Sequence, residues 1–529
     1  MSEAAVRPAR AEAGAAVPRP GPARRATLAL ARVEAVRLLR HPLVLVALAL
    51  VVGLQVRSAF AGEPFPVLQE ADHGTQVPML LLGGAALVAA NLAVLRPHRH
   101  GTAPIYDVLV LAPWRRTLAY LLAPVPLALF GAVLVGVRIA VLAGAPGAAG
   151  RPNPAELVTG PVVILLFGTV GVLLGRLVTS AVVAPLLLVV VAAVTVFGAV
   201  PDVLGSSPLR WFAPVVLRDE TTAPLPVDLV GRPAGAHLAY LAGFVVLVAV
   251  AAMTRSGRRG AVVLAAGGVS LLLVVVAGVA QLSAPSRAVV DGRIAATQHP
   301  AASQTCQTRD GRTYCAFPDF ASRIPAWDEV VRGVLRRVPA AVADRSPAVR
   351  QRVLAAGGPP GGSGVVPLAP VAEWQRDDRN HGTPGALPVS TAWGDGVPEV
   401  ELAGQVAYTA VTGKAGGPAV DTVCHAQGVV VLWLAGQATP RTRAGLDQLL
   451  RSSTGGVVLT VARFGTGLAF TPREIAVASA LLTRPDDEVA RTLAGSWAEL
   501  TAPATSTERA AELLGTPVPP GSDEEFGRC

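Results

Sequence analysis

Charge is scarce in this sequence. Asp, Glu, Lys and Arg make up 15% of its 529 residues while 52% are hydrophobic; a typical soluble domain carries about 25% charged residues. Lysine is nearly missing, with Lys414 the only one among 45 basic residues. Together with abundant Ala, Gly, Val and Pro, that bias reflects a GC-rich genome, as in high-GC bacteria, and carries no mechanism. Walker A is missing too. Thr412-Gly413-Lys414-Ala415 lacks the hydroxyl residue that would follow Lys and hold magnesium, so no ATP hydrolysis is expected from this chain. Neither His-Glu-x-x-His nor Gly-x-Ser-x-Gly occurs. His299, His381 and His425 are scattered, and His425 beside Cys424 does not make a nucleophile pair, because neighbours in sequence need not point together. No enzyme and no cofactor are expected. Without a Cys-x-x-Cys, a zinc site lacks its ligands. No secretory signal is visible: residues 1–26 are rich in Ala, Pro and Arg without an apolar run and read as a disordered cytoplasmic tail.

What charge there is lies unevenly. Residues 1–282 hold 22 Arg against 12 acidic residues, a net +10, and residues 283–529 carry a net −1. A nucleic-acid-binding chain would cluster its Arg on a polar, soluble domain. Here the positive balance sits in the apolar half, which points to membrane topology and excludes nucleic acid as a partner.

A helix needs roughly 20 apolar residues to cross a bilayer. About seven such runs occur, near Pro42–Ala59, Val77–Leu95, Thr117–Leu142, Leu157–Leu174, Ala181–Val200, His237–Met253 and Gly260–Leu282. Core helices of a globular protein nearly all keep a polar face, so a succession of such runs reads as a transmembrane domain over 27–282. Cytoplasmic loops are rich in Arg. The tail up to Arg40 holds eight Arg; Arg96, Arg99, Arg115 and Arg116 lie between the second and third runs, Arg176 between the fourth and fifth, and Arg255, Arg258 and Arg259 between the sixth and seventh. The alternate loops carry Glu63, Glu70, Asp72, Arg151 and Glu156, and the longest is mixed. This alternation places the N-terminus in the cytoplasm and, after seven crossings of the cell membrane, residues 283–529 outside. Thr27–Arg40 is amphipathic and basic, and reads either as a helix lying on the anionic leaflet or as an extension of the first span. Arg138, inside the third run, reads as snorkelling to the outer interface; Asn91 reads as bonding a neighbouring helix.

Residues 283–529 mix short strand-like and helical patterns, as expected of an α+β, mostly helical extracytoplasmic domain. Asp328–Val338 has one apolar face and predicts a helix. Ser346-Pro347 reads as a helix start, Gly357–Gly364 as a linker and Val397–Val411 as a strand. From Pro440 onward the patterns are mostly helical. Cys306 and Cys315 flank Asp310-Gly311, a strong two-residue hairpin signal. In that register Arg309 faces Arg312, and Cys306 faces Cys315 in a non-hydrogen-bonded pair, where side chains approach closest. A cross-strand disulfide fits there, with two reduced thiols as the alternative; Cys424 and Cys529 are too few and too far apart in sequence to assign a second bridge, and their pairing stays open.

Several stretches resemble the permease subunits of type-2 ABC exporters, actinobacterial ones in particular. Ala31-Arg32-Val33-Glu34-Ala35-Val36-Arg37-Leu38-Leu39-Arg40-His41-Pro42 is similar to their opening segment. His100-Gly101-Thr102, then Asp107 to Arg116, resembles their cytoplasmic segment after the second span. Gly175-Arg176 through Pro185 resembles their central hairpin, and Gly231-Arg232-Pro233 with His237 to Gly243 their approach to span six. The match covers roughly residues 27–255, and a seventh span and a C-terminal domain depart from the six-span pattern. The resemblance implies a permease-like subunit with a separate ATP-binding partner that touches Arg96, Arg99, Asp107, Arg115 and Arg116, and it allows a homodimer. The alternative is a non-transporting scaffold or sensor whose outer domain binds a ligand or protein.

Overall fold

The computed structural model describes residues 20–62, 64–102, 104, 111–197, 208–217, 223–283, 285–344, 347–354, 371–394, 396–414, 420–453, 455–460 and 467–517. Asp107, Cys529, most of the 1–26 tail and the 357–364 linker lie outside them.

The N-terminal half is helical: α1 (Pro20–Leu39), α2 (Pro42–Ala61), α3 (Leu68–Gly74), α4 (Gln76–Arg99), α5 (Pro113–Leu122), α6 (Val125–Ala143), α7 (Pro154–Leu177), α8 (Val183–Phe197), α9 (Ala234–Arg255) and α10 (Ala261–Ala280). Local chemistry starts the helices. Asn153 Oδ1 accepts from Ala155 N (3.0 Å) with Pro154 in the first turn of α7, and His41 Nδ1 accepts from Leu43 N (3.3 Å) ahead of Pro42 in α2; both satisfy amides that a helix leaves unpaired. Among the described residues six helical stretches are long and apolar enough to cross a membrane: 42–60, 68–99, 113–143, 154–177, 234–255 and 261–280. The fifth apolar run of the sequence forms α8, described over 15 residues only. Bare apolar faces, such as Val46, Leu50 and Leu54 on α2 and Val262, Val269 and Leu272 on α10, are exposed; such surfaces belong against lipid. This is the architecture of a multi-pass helical membrane protein.

Helices α4 and α7 form the centre of the bundle. A Cβ on Gly171 would overlap the Leu87 carbonyl oxygen, and one on Gly175 would stand 2.8 Å from Val94 Cβ. The Gly-x-x-x-Gly spacing therefore lets two backbones touch, as small residues do between membrane helices. Asn91 Nδ2 lies 3.5 Å from Gly171 O, facing the neighbouring helix as expected. Arg138 Nη1 donates to Ser58 Oγ (2.7 Å) near the end of α2.

The bundle has two unlike ends. At one, the segments 64–75, 144–153 and 223–233 meet the C-terminal region. Leu68 N donates to Ala149 O (2.8 Å) and Gly150 N to Asp319 O (3.0 Å). Asp319 Oδ2 accepts from Val227 N (2.8 Å), and Ser322 Oγ donates to Ala148 O (2.7 Å). The other end gathers α1, α5, Arg176 and residues 255–260; Arg96 of α4 pairs there with Glu34 of α1 (3.1 Å), and Thr117 Oγ1 lies 2.7 Å from Ser256 Oγ. The chain leaves that Arg-rich end after Leu177 and is at the opposite end by Trp211, whose ring packs 5.5 Å from His237 at the start of α9.

The C-terminal region carries two small sheets among helices. Strands β1 (Thr305–Arg309), β2 (Arg312–Ala316), β3 (Val349–Arg352) and β4 (Leu387–Ser390) run in that order, antiparallel between the first two and parallel thereafter. Strands β5 (Val420–Thr422), β6 (Val457–Thr460) and β7 (Gly467–Phe470) form the second, in the order β5-β7-β6. The β1–β2 register is the expected one, Arg309 on Arg312 and Cys306 on Cys315, with Cα atoms 4.0 Å apart and the disulfide formed. Asp310 and Gly311 both take positive φ, 47° and 76°, as a type I′ turn demands. Cys424 is also disulfide-bonded, a second bridge to which its spacing gave no pointer.

Two local expectations fail. Residues 397–412 form a helix, not a strand. Gly396 at φ 91° starts it, Gly396 N donates to Glu399 Oε2 (3.0 Å), and Pro398 occupies the first turn. Its Val-rich stretch looks strand-like only because nearly every face is buried, by flanking helices 324–335, 425–437 and 440–452. Pro347 leads into β3 rather than a helix. There the buried Arg350 and Arg352 reach one carboxylate, Asp378 (2.7 Å each), and this long-range pairing overrides the local start signal.

Candidate functional site

The structure gathers most of the Arg residues singled out from sequence on the Arg-rich end. Glu34, buried on α1, accepts from both Arg37 (2.8 Å) and Arg96 (3.1 Å). Arg96 is thus an internal strut between α1 and α4, while Arg99 in the last turn of α4 is exposed. Arg115 and Arg116 are half-buried on α5. The guanidiniums of Arg115 and Arg258 approach the Trp114 ring at 4.7 and 4.6 Å, an arrangement that holds two cations against one aromatic ring. Arg176 lies 5.9 Å from the Tyr120 ring. Asp107 lies outside the described residues. On α1 the side turned to the protein is Thr27, Ala31, Glu34, Ala35 and Leu38, and the side turned away carries Arg25, Arg32, Val33 and Val36, with exposed Arg40 just past its end. Small residues let α1 lie flat on α5. Its outer face, both basic and apolar, suits a headgroup layer.

The opposite end holds a second constellation that sequence reading missed. Asp72 and His73 of α3, Gln76 of α4 and Glu156 of α7 are all at most 6% exposed. His73 Nδ1 stands 3.2 Å from Glu156 Oε2, which also accepts from Gln76 Nε2. Asp72 Oδ2 accepts from Asn153 N (2.6 Å), and Arg232 sits 3.6 Å from Asp72 Oδ1. Arg232 further donates to Gln69 O (2.8 Å), and Gln69 Nε2 to Leu225 O (2.8 Å). His237 Nδ1 lies 3.2 Å from Gln281 Oε1, both buried. Intramembrane ionisable groups mark function by default. The one available signal was that His73, Gln76 and Glu156 flank apolar runs; nothing in the sequence shows that residues 83 positions apart converge.

Directly over this cluster the C-terminal region is seated. Phe65 belongs to its core, with its ring 6.3 Å from Trp393 and Arg441 4.7 Å above it. Fully buried Arg323 donates to Phe65 O (2.7 Å) and Thr391 O (2.5 Å). Burial pulls the Arg323 pKa down to about 10, against the opposing pull of Glu70 and Glu399. No cluster of three or more His, Cys, Asp or Glu able to hold a metal exists among the described residues. No protein-family model, curated protein or solved structure matches this chain.

Proposed function

We propose that the chain is a permease-like membrane subunit that works with a separate ATP-binding protein seated on its Arg-rich end. The observation that carries this reading is the basic platform itself: Arg99, Arg115, Arg116 and Arg258 brought to one surface, beside a flat α1 braced by Glu34 and Arg96. Such a surface attracts an acidic partner and steers its approach. The reading takes the Arg-rich end as cytoplasmic and the 15-residue α8, about 22 Å at helical rise, as part of a crossing. Seven crossings then leave residues 283–529 outside. The Cys306–Cys315 bridge supports that side, since disulfides persist in oxidising compartments. A second reading, a scaffold or sensor whose outer region binds a ligand or protein, is favoured by one observation. That region is clamped to three segments of the bundle, so anything bound there is felt by the helices. The test is affinity purification of the tagged chain from native membranes in mild detergent. A stoichiometric ATP-binding subunit, lost in R115E/R116E, is the expected result. An extracytoplasmic protein recovered without an ATPase favours the second reading, and an ATPase retained by R115E/R116E removes the platform from the interface.

A further inference from the structure

The buried cluster at the far end has a charge count that does not close. Counted formally among the described residues, Asp72 and Glu156 as carboxylates, Arg232 as a guanidinium and the histidines as neutral leave one negative charge over. Glu156 is 2% exposed; its Oε2 faces both Gln76 and His73, while Oε1 has no hydrogen-bond partner among the described residues. A buried carboxylate is tolerated only when its charge is matched. Among the described residues the remaining groups facing the cluster do not match it. Glu70 on α3 acts electrostatically on Arg323, Arg138 on α6 donates to Ser58, and His237 on α9 lies against Gln281. The missing partner is one positive charge, small enough for a packed site.

We propose that this cluster is a one-proton binding site, with His73 and Glu156 together as the acceptor. The proton comes from the aqueous phase on the side of the C-terminal region and rests on the imidazole or on the carboxyl. Bound, it completes two neutral pairs, Asp72 with Arg232 and Glu156 with His73. Released, it leaves an unmatched anion under α3 and the 225–233 segment, which Gln69 and Arg232 tie together. Those two segments carry the seat of the C-terminal region, so proton loss loosens the seat.

The experiment is amide exchange of residues 68–76 in the full-length protein in detergent, corrected for intrinsic rates, at about pH 6 and about pH 8. Exchange is expected to be severalfold slower at the lower pH; a single bound proton allows at most about tenfold per pH unit. E156Q, which removes the anion, is expected to lose that dependence, and H237Q to keep it. Equal protection of the wild type at both pH values overturns the proposal whether or not either variant folds. So does a dependence that persists in E156Q, or one that vanishes in H237Q, which would move the proton to the other histidine.

Discussion

Asp378→Ala tests how the first sheet of the C-terminal region is held. Asp378 is 3% exposed and is shared by two guanidiniums, Arg350 Nε and Arg352 Nη2, each at 2.7 Å. Arg350 has other partners, Gln304 Oε1 (2.9 Å) and Thr383 Oγ1 (2.6 Å). Among the described residues Arg352 has, beyond Asp378, the Trp374 ring 4.7 Å away and the electrostatic pull of Asp377, and its Nε and Nη1 have no hydrogen-bond partner there. Burial already pulls the Arg352 pKa down to about 10. Removing the carboxylate strands a buried cation, and breaking such a pair costs about 3 to 5 kcal/mol. At about 2–4 °C per kcal/mol for a region of this size, the thermal midpoint should fall on the order of 10 °C. The assay is thermal unfolding of the purified protein followed by tryptophan fluorescence. The triple variant R350M/R352M/D378L removes all three charges and should recover most of the loss, since an apolar replacement of a buried ion group is often neutral. A D378A loss below about 1 kcal/mol, or a triple variant as unstable as D378A, would refute the reasoning.

Gly171→Ala should prevent α4 and α7 from closing, because the new methyl overlaps the Leu87 carbonyl; monodisperse yield on size exclusion should collapse, while Gly136→Ala, with nothing within 4 Å of its Cβ, should behave as wild type. Cys306→Ser with Cys315→Ser should cost about 2 to 3 kcal/mol through loss of a short closed loop, read as a thermal midpoint below that of the oxidised wild type; the reduced wild type, which loses the Cys424 bridge as well, should fall at least as far. Tyr314 donates to Asp328 Oδ1 (2.8 Å), and burial, then Asp328, pushes its pKa well up. Its un-ionised form stabilises the fold below about pH 10, and that contribution is lost as pH rises further. Absorbance titration should show Tyr314 among the tyrosines that ionise late, with unfolding, and Tyr314→Phe should lower the amplitude of that phase by one tyrosine.

By itself the sequence determined what depends on neighbours along the chain. Apolar runs long enough to cross a bilayer, Arg concentrated in alternate loops, and the paired β1–β2 register are all set within a few residues, because helix burial and turn dihedrals are local. The positive φ of Asp310 and Gly311 is enough to align Cys306 with Cys315. Much of the basic platform was legible for the same reason, since Arg96, Arg99, Arg115 and Arg116 flank span ends. Only the tertiary structure decided the rest. Phe65 became core to a region more than 200 residues downstream, residues 397–412 became a helix because neighbours buried nearly all their faces, and Asp72, His73, Gln76, Glu156 and Arg232 became one site. Each of those outcomes rests on partners distant in the chain, whose free energy of contact is set by packing and dielectric, and neither is written in a local pattern.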